Sequence, residues 1–541
     1  MKITEERRYE RLSPFELKNK LISMASSSAE RMMLNAGRGN PNWLAVEPRE
    51  AFFQLGLFAM DESARNLLRP GFGSPAQTRG IEKRFKAFVK KHAKKPGVSF
   101  LKKAIIYADK KLKIKPADFL KQIVDAILGD HYPTPDRILS FNEKAVHPYL
   151  IENILNDRKC GKFDLFATEG GTAAMAYIFN SLMENKILKK GDTIALGTPI
   201  FTPYIEIPHL NDYKFVTIDV EQDENGGWQY PDAQIKKLED KKIKAFFLVH
   251  PSNPTSVCIQ PKSFKKIADL IKKKRKDLII LTDDVYGTFV DGFKSLAAAA
   301  PHNTILVYSY SKYFGATGWR LGVIAVHEKN VLDQKIAKLP AKDKAILNKR
   351  YSTVALYPEK LKFIERMVAD SRAVALHHTS GVSTPQQVLM TLFSIYCLID
   401  TKNVYKKRAQ DIIFKRFKSL YKAIGMPIPK DPYGTHYYTI IDIPKLAKQR
   451  YGKPFADYLV KTFQPIDFVV RLAEERSVVL LDGGGFDAPN MSVRVSLANL
   501  PDEAYVEIGK SISWLLEQYY KHWKNKKGTK KAPAKKAQRK R

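Results

Sequence analysis

The chain has 541 residues, 44% of them apolar and 27% charged, a globular composition that excludes wholesale disorder. Lys and Arg number 91 against 56 for Asp and Glu, a formal charge of +35, of which +11 lies between Lys521 and Arg541 and +24 before it. Cys160, Cys258 and Cys397 lie far apart with no C-x-x-C pair, which excludes a disulfide scaffold and the usual zinc ribbons, and no metal site is expected.

The opening MKITEERRYERLSP lacks the apolar core of a secretory signal, and no run reaches the roughly 18 apolar residues of a membrane span. With so few cysteines, the expected setting is a reducing, cytoplasmic one. Residues 11–34 read as helical and lead into the turn-rich loop NAGRGNPNW, Asn35–Trp43. Residues 80–125 are Lys-rich with helical spacing. Five short β-rich runs follow at Phe163–Ala167, Thr193–Leu196, Ala245–Val249, Leu278–Leu281 and Ile305–Tyr308. Helical patterns fill much of the space between them. This alternation predicts an α/β fold, a mostly parallel sheet with helices on both faces and ligands beyond the strand C-termini. Residues 330–380 are again Lys-rich and helical, 385–425 read as long and helical, and Pro501 opens a helix with apolar Ile508, Ile512, Leu515 and Tyr519 on one face. After Lys524 only low-complexity Lys/Ala/Gly sequence remains, expected to be disordered.

Five motifs at strand ends carry chemistry. In SYSKYFGATGWRLG, Ser309–Gly322, Lys312 follows a strand closely and Arg320 offers a planar fork suited to a phosphate dianion. In FDLFATEGGTAAMAY a strand meets a glycine pair and a helix opening at Thr172, whose free N–H groups suit phosphate. HPSNPT places Asn253 after a strand, where it is a turn former or a donor to a phenolate oxygen. LTDDVYGTF ends a strand in two carboxylates, caps or partners of a pyridine nitrogen, with Tyr286 three residues after Asp283. Arg494, in SVRVSLANL, is an arginine on an apolar strand, which calls for a charged partner.

Together these motifs resemble the fold-type-I pyridoxal 5'-phosphate (PLP) enzymes of the aspartate aminotransferase superfamily. Asn253, Asp283, Tyr286, Lys312 and Arg320 follow at intervals of 30, 3, 26 and 8 residues, as that superfamily arranges them. The resemblance implies a seven-stranded sheet in a large domain, and a smaller α+β domain from both chain ends. It implies that Lys312 forms the Schiff base and shuttles protons, and that Asp283 pairs with the ring nitrogen. Asn253 and Tyr286 would contact the ring oxygen and Phe201 would stack on the ring. Gly171, Thr172, Ser309 and Arg320 would hold the phosphate. Arg494 would clamp the substrate α-carboxylate, with Asn253 beside it. Tyr132, in HYPTP, would reach a phosphate across a dimer interface, so a homodimer at minimum is expected, and larger assemblies of dimers.

The strings LSPFELKNKL, LNAGRGNPNW, HYPTPDRIL and LLDGGGFDAPNMSVRVSLANL resemble one branch, the aspartate 4-decarboxylases (aspartate β-decarboxylases). That branch implies conversion of L-aspartate to L-alanine and CO2 through a ketimine, with aspartate aminotransferase side activity. Arg38, in GRG, would act near the substrate carboxylates and bias partition toward CO2 loss. The expected division is 1–70 for the N-terminal part of the small domain and 71–135 for a helical insertion. Residues 136–390 form the PLP domain, with an insertion near 330–380; 391–524 complete the small domain and 525–541 the basic tail. An ordinary aspartate or broad-specificity aminotransferase is the alternative. A PLP-fold regulator or nucleic-acid binder using the tail is a reading from another class, disfavoured because too little sequence precedes the GRG loop for a winged helix.

Overall fold

The computed structural model describes residues 9–26, 32–65, 68–222, 227–376, 381–429 and 431–529. Its strands are β1 (Leu34–Asn35), β2 (Phe163–Thr168), β3 (Thr193–Thr198), β4 (Lys214–Asp219), β5 (Glu221–Gln222), β6 (Trp228–Gln229) and β7 (Ile243–Val249). They continue with β8 (Ile279–Asp283), β9 (Thr304–Ser309), β10 (Gly322–His327), β11 (Tyr438–Asp442), β12 (Val478–Val479), β13 (Leu481–Asp482) and β14 (Ser492–Ser496). Seven of these form one sheet in the order β2-β10-β9-β8-β7-β3-β4, parallel except for β10, which runs antiparallel to both neighbours.

The sheet is covered on both faces, so its central strands are continuous apolar runs rather than alternating ones. Every residue of β8, β9 and β10 is buried. Five of the seven strands follow the sequence reading. The other two, β4 and β10, escaped it for opposite reasons. KFVTID is an edge strand with exposed Lys214 and Phe215, and GVIAVH follows directly on the Lys312 motif.

The helical stretches resolve into shorter helices at their breakers. Residues 80–125 become Ile81–Lys91, Val98–Lys110 and Pro116–Leu128, separated at Gly97 and Pro116. Each buries an apolar stripe, such as Ile81, Phe85 and Phe88, and the first two leave their lysines in water, while Lys121 of the third pairs with Asp125. The last two pack on Val46–Ala64, and all three long partners meet Thr384–Ile399. Residues 385–425 are two helices, Thr384–Ile399 and Val404–Ile424, parted at Asp400–Asn403, where Asn403 takes a left-handed backbone. Of residues 11–34, the described ones form one helix, Pro14–Ser26.

The second unit is built from both chain ends, as expected. A three-stranded antiparallel sheet, β11-β14-β13, lies beside the parallel pair β1-β12. Pro14–Ser26 packs on Asp467–Arg476 and on β12. The C-terminal helix runs Asp502–Thr529, five residues beyond the expected boundary at Lys524. Lysine is a fair helix former, so a helix anchored upstream carries past a basic stretch. The rest of the tail, 530–541, lies outside the described residues. Among the described residues no helix is long and apolar enough to cross a membrane.

Candidate active site

A cleft of about 550 Å³ opens at the C-terminal ends of the parallel strands and is closed on its far side by segments from both chain ends. Gly171, Thr172, Phe201, Asn253, Asp283, Tyr286, Ser309, Lys312, Arg320, Arg38 and Arg494 all line it. Tyr132 does not; it is 64% exposed on the surface of its own chain.

The sheet side is fixed by short covalent leads from buried strands. Asp283 is the last residue of β8, and its two oxygens divide their partners. Tyr204 Oη donates to Oδ2 at 2.8 Å, and the Val285 amide donates to Oδ1 at 3.2 Å. Burial pushes the carboxyl up to about 6; the two donors and the Lys312 charge pull the other way. The neighbouring acid, Asp284, does not line the cleft. It bonds Thr282 and Ser295, and burial drives it up to about 8. Of the DD pair, the cleft therefore receives only the first.

After β9, Ser309 Oγ bonds Ser311 Oγ at 2.8 Å, and Lys312 projects into the cleft, donating from Nζ to the Gly39 carbonyl at 2.9 Å. Tyr437 Oη donates to that same carbonyl at 3.0 Å. At the end of β2 the helix Gly171–Glu184 begins, its unpaired N–H groups facing the cleft. Gly170 sits at φ +88°, and a Cβ there would stand 2.7 Å from the Arg320 guanidinium. Arg320 itself holds a left-handed φ of 54°, unfavourable for a side chain bearing a Cβ. It donates to the Thr317 carbonyl at 2.9 Å and stays exposed, its fork over the helix start.

The opposite side is stitched from distant segments. The Asn35–Gly39 loop is bonded to the C-terminal strands by Ala36 N to Val479 O at 3.0 Å and Ser496 N to Ala36 O at 2.9 Å. Arg494, on the central strand β14, is 3% exposed, so it does not face water from a sheet edge. It donates to the Gly37 carbonyl at 2.7 Å and to Asn253 Oδ1 at 3.3 Å. Its guanidinium lies between the rings of Tyr438 (4.4 Å) and Phe486 (4.7 Å), and burial lowers its basicity. Among the described residues its Nε has no hydrogen-bond partner. Arg38 is exposed at the rim. The DGGGF loop crosses to the sheet side: Ile200 N bonds Phe486 O at 3.0 Å, and Thr202 Oγ1 bonds Gly485 O.

These groups fit a phosphorylated pyridine such as PLP. A buried acid stands at one end, a helix start with an arginine fork at the other, a reachable amine between them, and Phe201 offers a flat ring. Among the cleft residues that sequence reading did not single out are Lys18, Tyr204 and Tyr438. Tyr204 lies three residues after Phe201 on the same turn, so a second aromatic in TPIFTPY was a signal. Tyr438 stands in HYYTI, where nothing local marks it.

The chain belongs to the class I and II aminotransferases, whose family model matches residues 164–512, and that family is PLP-dependent. The particular relationship is narrower. It is 48% identical over 516 residues to a bifunctional aspartate aminotransferase and L-aspartate beta-decarboxylase of a Pseudomonas species, a match covering 95% of this chain and 97% of the relative. Its fold is similar to an aspartate aminotransferase single mutant of Thermus thermophilus (TM-score 0.59, 15% identity, 93% and 97% of the two chains). It is also similar to the aromatic aminotransferase of Pyrococcus horikoshii OT3 (TM-score 0.55, 18% identity, 92% and 99%).

Proposed function

We propose that this protein is a PLP-dependent L-aspartate 4-decarboxylase, releasing L-alanine and CO2, with aspartate aminotransferase side activity. The observation that carries the reading is the 48% identity extending over 95% of the chain, which takes in the helical additions as well as the cleft. PLP, when bound, supplies a ring conjugated to the substrate nitrogen that draws electrons from the bonds around the α-carbon. Everything else is the work of the chain's own side chains.

Gly171, Thr172, Ser309 and Arg320 hold the phosphate by N–H groups, hydroxyl and fork. Asp283, with a pKa of about 6, is ionised at neutral pH and keeps the ring nitrogen protonated. Asn253 and Tyr286 hold the ring oxygen, and Phe201 fixes the ring plane. Lys312 would anchor the cofactor covalently, and its amine, when free, would be placed to move protons on and off the α-carbon. The Gly39 carbonyl orients that amine. Arg494 takes the α-carboxylate as a fork, and the aromatic rings on its two faces keep water from it. Arg38, at the rim, orients the second carboxylate. It favours CO2 loss only as far as it binds the departing transition state better than the ground state. Tyr132 supplies a phosphate contact to a partner copy, which makes a homodimer the smallest active unit. Three free cysteines suit a reducing, cytoplasmic setting.

The test is incubation of purified protein with PLP and L-aspartate alone. Sustained alanine and CO2 formation is expected; turnover only after addition of a 2-oxo acid would make the chain an ordinary aminotransferase.

A further inference from the structure

Loss of CO2 leaves the bonding electron pair on the substrate side, and the β-carbon then needs a proton. Lys312 already serves the α-carbon. With Tyr286 given to the ring oxygen, a further acid facing the cleft can supply the β-carbon.

Tyr438 opens β11, with its backbone pinned by Ser256 Oγ at 2.8 Å and paired to Ser496 on β14. Only 3% of it is exposed, yet it lines the cleft. A Cβ on Gly39 would stand 2.5 Å from Tyr438 Oη and 3.3 Å from Lys312 Nζ, so hydroxyl and amine address the same small volume. Glycine at 39 is what leaves that volume open. Tyr438 Oη also lies 3.0 Å from Tyr286 Oη. The Arg494 guanidinium stands 4.4 Å over its ring.

We propose that Tyr438 is a further catalytic residue, the acid that protonates the substrate β-carbon after CO2 has left. This rests on the decarboxylase reading above. The Cβ–carboxylate bond breaks, CO2 departs without the electron pair, and that pair forms the new C–H bond with the tyrosine proton. The O–H pair stays on Tyr438 as a phenolate beneath Arg494. A solvent proton relayed through Tyr286 restores the hydroxyl, matching the one proton the overall reaction consumes. Because α- and β-carbons are adjacent, two acids on either side of Gly39 can serve them in turn without the substrate moving.

The test is Tyr438→Phe, which keeps the ring over Arg494 and removes only the hydroxyl. Holoenzyme of parent and variant is mixed rapidly with L-aspartate, and CO2 and alanine are followed through the first turnover. CO2 loss precedes the proton transfer, so the expected result is alanine formation slower than CO2 release by about tenfold or more in the variant. The affinity of the apoprotein for PLP, read by fluorescence titration, changes less than about threefold, since the hydroxyl serves the substrate and not the ring. Alanine appearing in step with CO2, as in the parent, overturns the proposal. A loss of PLP affinity matching the slowing of alanine also overturns it, since the hydroxyl would then act through Tyr286 on the cofactor. The two products are compared within one preparation, so a partly unfolded one does not disturb the comparison. A parent that makes no alanine would instead refute the decarboxylase reading itself.

Discussion

The two walls of the cleft are built in different ways. On the sheet wall every reactive side chain sits within a few residues of a buried strand: Asp283 ends β8, Lys312 follows β9 by three residues, and Thr172 follows β2 by four. On the other wall, Arg38 comes from a segment 400 residues before the one that carries Tyr438, Phe486 and Arg494. They are joined by bonds such as Arg494 to the Gly37 carbonyl. The first wall can place a ring to within rotamer precision because its supports are continuous with the core. The second depends on a few hydrogen bonds between chain ends. Chemistry common to a whole family suits the rigid wall, and choice of substrate and outcome suits the stitched one.

Four substitutions probe this contrast. Lys312→Ala on the sheet wall should cost about four orders of magnitude or more in turnover. Borohydride reduction and peptide mapping should then find no pyridoxyl label; a label elsewhere would remove Lys312 as the anchor. Asp283→Asn should cost about three orders of magnitude, and it should also change apoprotein stability. A carboxyl raised from 3.8 to about 6 stabilises the fold below its unfolded pKa and loses that contribution as pH rises through 6. The apo variant should therefore be more stable than the parent at pH 8, by roughly 3 kcal/mol at most. The difference should vanish near pH 4. Urea titration at the two pH values measures it, and a pH-independent difference would contradict the buried-acid account.

On the stitched wall the effects are smaller and fall on substrate. Arg494→Lys keeps the charge but loses the fork, and should raise the aspartate KM about ten- to a hundredfold with PLP affinity unchanged. Arg38→Ala, at the exposed rim, should shift the alanine-to-oxaloacetate ratio no more than about fivefold. If the parent's ratio survives, Arg38 has no part in the partition. A large loss of PLP affinity in either variant would erase the distinction between the walls.

The same contrast explains what the sequence disclosed. Lys312, Asp283 and Gly171–Thr172 announce themselves because strand, turn and reactive residue are contiguous, so spacing alone carries the geometry. Arg494 was legible because a cation on an apolar strand is costly without a partner. Tyr204 and Tyr438 were not. Each is one aromatic among many, and its meaning lies in what its hydroxyl meets, Asp283 in one case and Tyr286 in the other, which only tertiary packing decides. Five strands of the core were visible as alternation, but β4 hid behind an exposed edge pattern and β10 behind the motif preceding it. The long helical stretches were readable as type and not as number, although Gly97, Pro116 and the DTKN turn were all available as breakers.

The carbonyl of Gly39 receives both the Lys312 amine and the Tyr437 hydroxyl. An amine held in a carbon–nitrogen double bond would have fewer hydrogens to offer, so loading the lysine would slacken this tether. Arg38 is the residue next door. A reporter dye near Arg38 is therefore expected to change its signal when the apoprotein takes up PLP.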